Sequence, residues 1–220
     1  MKDHKKIQYN LFRADLYRIL ALGLDTPTSK TLGELKEIVN DLWKEFLPLK
    51  EFASVLSKVS VDEVAQESLR LFSTKVACPS CEGSYQLVER GPILGDVTAF
   101  YKAFQLQFLT NEGPPDSIKM ELAFLSYMAL KEAFALEEGL LEEAQTTFEA
   151  QKKFLLDHLG RWGEIFANRL QERTTHGYYK TLGSLLKIWL KKEFDFFNIQ
   201  PFPLPISLPQ LSEEEVQCSL

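Results

Sequence analysis

No stretch of this 220-residue chain approaches the ~18–20 consecutive apolar residues that a membrane-spanning helix requires. The basic residues near the N-terminus lead into an amphipathic pattern, with no continuous apolar core of a secretory leader, so a cytoplasmic protein is expected. Cysteine is scarce. Three residues, an odd count, make no disulfide framework and point to a reducing compartment. Basic charge is short as well: 25 Lys and Arg against 31 Asp and Glu leave a net charge of −6. That balance disfavours nucleic acid as a partner, because neutralising phosphates needs a concentrated basic surface. No run alternates apolar and polar residues convincingly at period two, so a sheet is not expected. The stretch from Gly91 to Gly95 lacks the lysine and spacing of a phosphate-cradling loop, so no nucleotide or other cofactor is expected.

What is present is a helical pattern with ample material for a core: 45% apolar residues, among them 16 Phe. Ile7, Leu11, Phe12, Leu16, Ile19 and Leu20 recur at three- and four-residue steps, ending at Gly23 and Pro27. Thr31 with Glu34, and Ser60 with Glu63, have the spacing of capping boxes for two further helices. Residues 75–95 break the pattern. Asp96 is placed to cap a helix carrying Val97, Phe100, Tyr101, Phe104 and Phe108. A second irregular stretch, 110–116, launches a helix from Ser117 to about Glu138, stopped by Gly139. Later stripes run through Phe148 and Leu155, through Trp162 and Phe166 after a bend near Gly160 or Gly163, and through Tyr179 and Trp189. The expectation is an all-α, single-domain bundle of about eight to ten helices over residues 1–197. Residues 198–220 are expected to form an extended Pro-rich acidic tail, with Phe202, Leu204 and Ile206 free to dock.

Candidate chemistry is thin. Cys78 and Cys81 have the spacing of a metal-ligating or redox pair. A closed zinc site needs four ligands, and Cys218 with His4, His158 and His176 supplies no second paired motif, so no metal is expected. A metal-binding or thiol-redox protein built on Cys78 and Cys81 is the alternative reading. Asp116, Glu121, Glu112 and Glu82 are the acids nearest the two irregular stretches. Without a neighbouring nucleophile or histidine in sequence they make no catalytic set, so an enzyme is not expected. Acting together, they suit a guanidinium, which carboxylates bind bidentately. In isolation Asp116 reads as a helix cap and Glu121 as part of a solvated face.

Two segments together resemble the TorD/DmsD/NarJ family of redox-enzyme maturation chaperones. The run from Cys78 to Tyr85 is similar to that family's Pro-Pro-Tyr-Glu-x-x-Tyr loop, and Phe100-Tyr101-x-x-Phe104 follows it. Pro114-Pro115-Asp116-Ser117 with Glu121-Leu122 is similar to its Pro-Asp-His-x-x-x-Glu-Leu segment; Ser117 stands here for the histidine and Cys81 for the loop tyrosine. His158-Leu159-x-x-Trp162 and Tyr178-Tyr179 are similar to its later helices, and the likeness spans roughly residues 65–190. The resemblance implies a helical chaperone for an apo-molybdoenzyme catalytic subunit, binding its twin-arginine signal peptide before export. Glu82, Tyr85, Tyr101, Pro114, Pro115, Asp116 and Glu121 would then line the peptide site, with the acids on an exposed lip. A monomer or a domain-swapped dimer is compatible with such helices.

Overall fold

Apolar residues at helical spacing assemble into nine α-helices among the described residues of the computed structural model, which are 2–74, 76–86, 89–106 and 113–205. They are α1 (Lys2–Gly23), α2 (Ser29–Leu42), α3 (Leu49–Leu56), α4 (Val61–Leu69), α5 (Arg90–Ala103), α6 (Ile118–Glu137), α7 (Leu141–Asp157), α8 (Leu159–Arg173) and α9 (Gly177–Phe197). No strand occurs among the described residues; a single bridge pairs Cys81 with Ser117. The long helices α1 and α6 lie along one another, α7 packs on α6, and α9 packs on α8 and α3. Their shared core centres on Leu16, Leu122, Leu125, Phe154, Trp162, Phe166 and Trp189, all without solvent exposure.

Several helix ends follow the local chemistry read above. Ser60 Oγ accepts from Glu63 N while Glu63 Oε2 accepts from Ser60 N, closing both halves of the box on α4. Gly139, at φ +70°, ends the turn after α6 in a backbone region that glycine enters without steric cost. Other ends differ. The cap of α2 is Thr28, paired reciprocally with Thr31, because Thr-x-x-Thr closes a box on the amides of Thr28 and Thr31 one turn earlier than Thr31 with Glu34. The helix α5 starts at Arg90 and not after Asp96, since Pro92 falls in the first turn, where an amide has no intrahelical partner to lose. The break between α7 and α8 is at His158 (φ −123°, ψ −102°), just before Gly160.

The irregular region that separates α4 from α5 is ordered by specific bonds where it is described. A π-helical turn, Arg70–Thr74, extends α4, and a 3₁₀ turn spans Glu82–Tyr85. Cys78 N donates to Leu71 O, and Tyr85 Oη donates to Pro79 O. After α9, Asn198 takes a left-handed turn (φ +50°) and the chain runs back across α8. There Leu204 N donates to Arg161 O, and Leu204 is buried while Phe202 is exposed. Ile206 and the remaining tail lie outside the described residues.

Candidate functional site

The two segments singled out in the sequence meet in space. Ile118 N donates to Ser80 O and Glu82 N donates to Asp116 O, both at 2.8 Å, so segment 80–82 is pinned to the start of α6. Ser117 caps α6, its Oγ accepting from Met120 N. Asp116 is therefore free to act sideways. Its Oδ2 accepts from Gly83 N at 3.1 Å, and Arg90 grips the carboxylate bidentately, with Nε to Oδ2 at 2.9 Å and Nη2 to Oδ1 at 2.5 Å. Tyr101 Oη donates to Pro115 O, anchoring the proline pair to α5.

Beneath this lies a polar cluster sealed from solvent. Glu82 and Glu121 are buried, and so is His158. The Glu82 carboxylate lies 2.9 Å from His158 Nδ1 and accepts from Gln86 Nε2 at 2.8 Å. His158 Nε2 lies 3.3 Å from Asp96 Oδ2. Glu121 Oε2 accepts from Trp162 Nε1 at 3.1 Å, while Glu121 Oε1 has no hydrogen-bond partner among the described residues. Burial first, and the nearby Glu82 charge second, hold the Glu121 carboxyl well above the usual carboxylate range. Tyr85 stacks obliquely on Trp162, ring centroids 5.3 Å apart, covering the cluster.

The exposed acidic lip expected from sequence is thus replaced by a closed arrangement. Glu82, Asp116 and Glu121 are each no more than 1% exposed, and Tyr85 and Tyr101 are buried. Pro114 is exposed and Pro115 half-buried, so the proline pair is what this corner presents to solvent. The physical reason is charge: an acid beside a packed core either finds a cation, as Asp116 does, or has its carboxyl pushed well above the usual carboxylate range, as Glu121 does. Cys78 is fully buried and burial pushes its thiol up to about 12, which opposes thiolate chemistry there. Cys81 is half-buried, and its thiol is also raised by burial and by Asp116.

Two clefts lie on this side of the molecule. One, of about 200 Å³, is bounded by Phe72, Ser80, Pro114 and Ser117. The other, of about 490 Å³, runs between α1 and α6 over Leu106, Met120, Ala123, Tyr127 and Leu130. Asp25 and Lys119 line both, joined by an ion pair of 2.9 Å. Ala123, Tyr127, Leu130 and Phe134 form one stripe on α6, and Leu130 and Phe134 are 46% and 60% exposed. A helix apolar on its core face that also shows an apolar stripe to solvent has surface to give to a partner.

The sequence matches the nitrate reductase delta subunit family over residues 34–168, a span that includes both pinned segments and the buried cluster. The chain belongs to that family. Its likeness to the TorD/DmsD/NarJ chaperones, drawn from the motifs, stands with it. Among relatives of this delta subunit member, the chlorate reductase assembly chaperone protein of Ideonella dechloratans is 35% identical over 101 residues, covering 44% of this chain and 51% of that one. The selenate reductase assembly chaperone protein of Thauera selenatis is 32% identical over 98 residues, covering 44% and 49%. The chain spans about half the length of these curated relatives. A crystal structure from Archaeoglobus fulgidus, assigned as a redox enzyme maturation protein, superposes with a TM-score of 0.56 at 19% identity. It covers 81% of this chain and 93% of its own, and shows a shared fold.

Sequence reasoning brought Glu82, Tyr85, Tyr101, Pro114, Pro115, Asp116 and Glu121 to one corner, and the structure gathers them there. It passed over Arg90, the roles of His158 and Trp162, and the α6 stripe. A usable signal existed for two of these. His158 and Trp162 are four residues apart, a spacing that suggests neighbouring side chains, and they reach Glu82 and Glu121 from the start of α8.

Proposed function

We propose that this delta subunit family member is an assembly chaperone for a molybdenum-cofactor oxidoreductase. It holds the apo catalytic subunit and its twin-arginine signal peptide in the cytoplasm until the cofactor is loaded. The two named reductase assembly chaperones support the role, and the apolar groove along α6 carries the peptide-binding part of it. Pro114, which bounds the smaller cleft, and the adjoining Pro115 and Asp116 are proposed as client contacts, with Glu82, Tyr85, Tyr101 and Glu121 holding the corner in shape from below. The task is binding and not catalysis.

The energetics suit a groove. Covering ~400 Å² of apolar peptide would contribute on the order of 10 kcal/mol gross. Ordering a flexible segment takes back roughly 2–5 kcal/mol. An exposed carboxylate–arginine contact adds only about 0.2–1 kcal/mol, so charge sets register and encounter while the apolar stripe sets affinity. The test is a titration of a synthetic peptide bearing an arginine pair ahead of an apolar run. Leu130→Glu, at an exposed position, should weaken binding at least about tenfold while shifting stability by no more than about 0.5 kcal/mol. Equal affinities for wild type and variant would overturn the groove.

A further inference from the structure

Asp116 has no solvent exposure, yet the guanidinium that covers it belongs to a side chain that is 43% exposed. The pair is lopsided: a buried carboxylate just ahead of α6, the helix whose Met120, Ala123 and Tyr127 line the groove, capped by an arginine whose outer face is in water. Arg90 reaches Asp116 by lying across Gly83. A Cβ on Gly83 would come within 2.6 Å of Arg90 Cγ and 3.2 Å of Asp116 Oδ2, so the absence of a side chain there is what lets the arginine lie flat. Gly83 N also donates to the same carboxylate oxygen, leaving Asp116 oriented whether or not Arg90 is present. The result is a preformed, bidentate guanidinium seat, filled by the chain's own arginine.

We infer that Arg90 is an internal competitor, occupying the seat on Asp116 that an arginine of the client takes when it binds. The inference rests on the client reading above and adds its regulation. When a client arginine arrives with an apolar run that fills the α6 groove, Arg90 swings into water, where its charge is readily solvated. A peptide with the arginine but no apolar run cannot displace it, because it gains nothing that the internal ion pair does not already supply. Recognition then requires both features at once, and stray cationic segments are rejected. If the internal pair is closed about four-fifths of the time, removing it tightens binding about fivefold.

The full chain is titrated by fluorescence anisotropy with two labelled peptides, one with an arginine pair ahead of an apolar run and one with lysines in their place. Arg90→Gln should tighten the arginine peptide about fivefold and leave the lysine peptide within about twofold, because lysine cannot make the paired contact. Asp116→Asn should abolish the preference for arginine, and adding Arg90→Gln to it should change nothing further. Should Arg90→Gln fail to fold by circular dichroism, Arg90→Met, which keeps an unbranched side chain and removes the guanidinium, is read in the same way. An arginine peptide that binds wild type and Arg90→Gln equally, while remaining sensitive to Leu130→Glu, overturns the competitor and spares the client reading. Binding of neither peptide to any variant overturns both.

Discussion

Glu121 sits where a carboxylate is hardest to keep charged: wholly buried, with Glu82 and Asp116 adding like charge and one Trp162 N–H in return. Its folded carboxyl titrates well above the ~4.3 of an unfolded glutamate. Below the unfolded value both states hold the proton and the contribution to stability is complete. As pH rises towards the folded value the unfolded state releases its proton first, so stability falls with pH through that window. Glutamine keeps an acceptor for Trp162 and has no proton to lose. Glu121→Gln should therefore flatten the decline in urea midpoint between pH 5 and pH 8, as read by tryptophan fluorescence, and be at least as stable as wild type at pH 8. Parallel curves would show that Glu121 is not the titrating group. At this scale the sequence identified the acids but not their surroundings. Glu82 and His158 lie 76 positions apart, and no local spacing tells which charges the fold will bring together.

Among the elements, periodicity was enough to find the helices, and glycine and capping pairs placed many of their ends. It fell short where a residue's partner lies outside its own helix. His158 interrupts α7 and α8 while its ring reaches across to Glu82, a tertiary demand that no helical pattern contains. Two residues on, Gly160 marks a second such point. A Cβ there would lie 2.2 Å from Leu155 O and 2.7 Å from Pro201 Cγ, so neither the end of α7 nor the returning tail could keep its place. Gly160→Ala should cost about 1–3 kcal/mol by overpacking. It should also loosen residues 198–205, which are held to α8 by Leu204 N donating to Arg161 O. Chemical denaturation measures the first effect and limited proteolysis at the tail the second; a variant of wild-type stability with an equally protected tail would show that the close approach relaxes freely.

Over the whole molecule, the first and last helices are tied by a charge network in the core. Arg13 on α1 has no exposure and gives Nε and Nη2 to the buried carboxylate of Glu193 on α9, the two residues being 180 positions apart. Its Nη1 donates to Asn10 Oδ1 and its Nη2 also to Gln151 Oε1, while Gln151 Nε2 donates to Glu132 Oε2 and Tyr17 Oη to Glu193 Oε2. Phe196 and Phe197 place their ring faces on the guanidinium at 4.6 and 4.8 Å. One arginine thus joins α1, α6, α7 and α9, the frame on which the α6 groove is built. Composition gives no hint of it, since an acidic total of −6 says nothing about a paired charge inside. Removing only the cation strands Glu193 in the core, so Arg13→Leu should cost about 3–5 kcal/mol in chemical denaturation. Replacing both, Arg13→Leu with Glu193→Leu, removes the stranded charge and should recover a substantial part of that loss. If the double variant loses the sum of the two single losses, the residues act independently; a smaller loss measures their coupling directly.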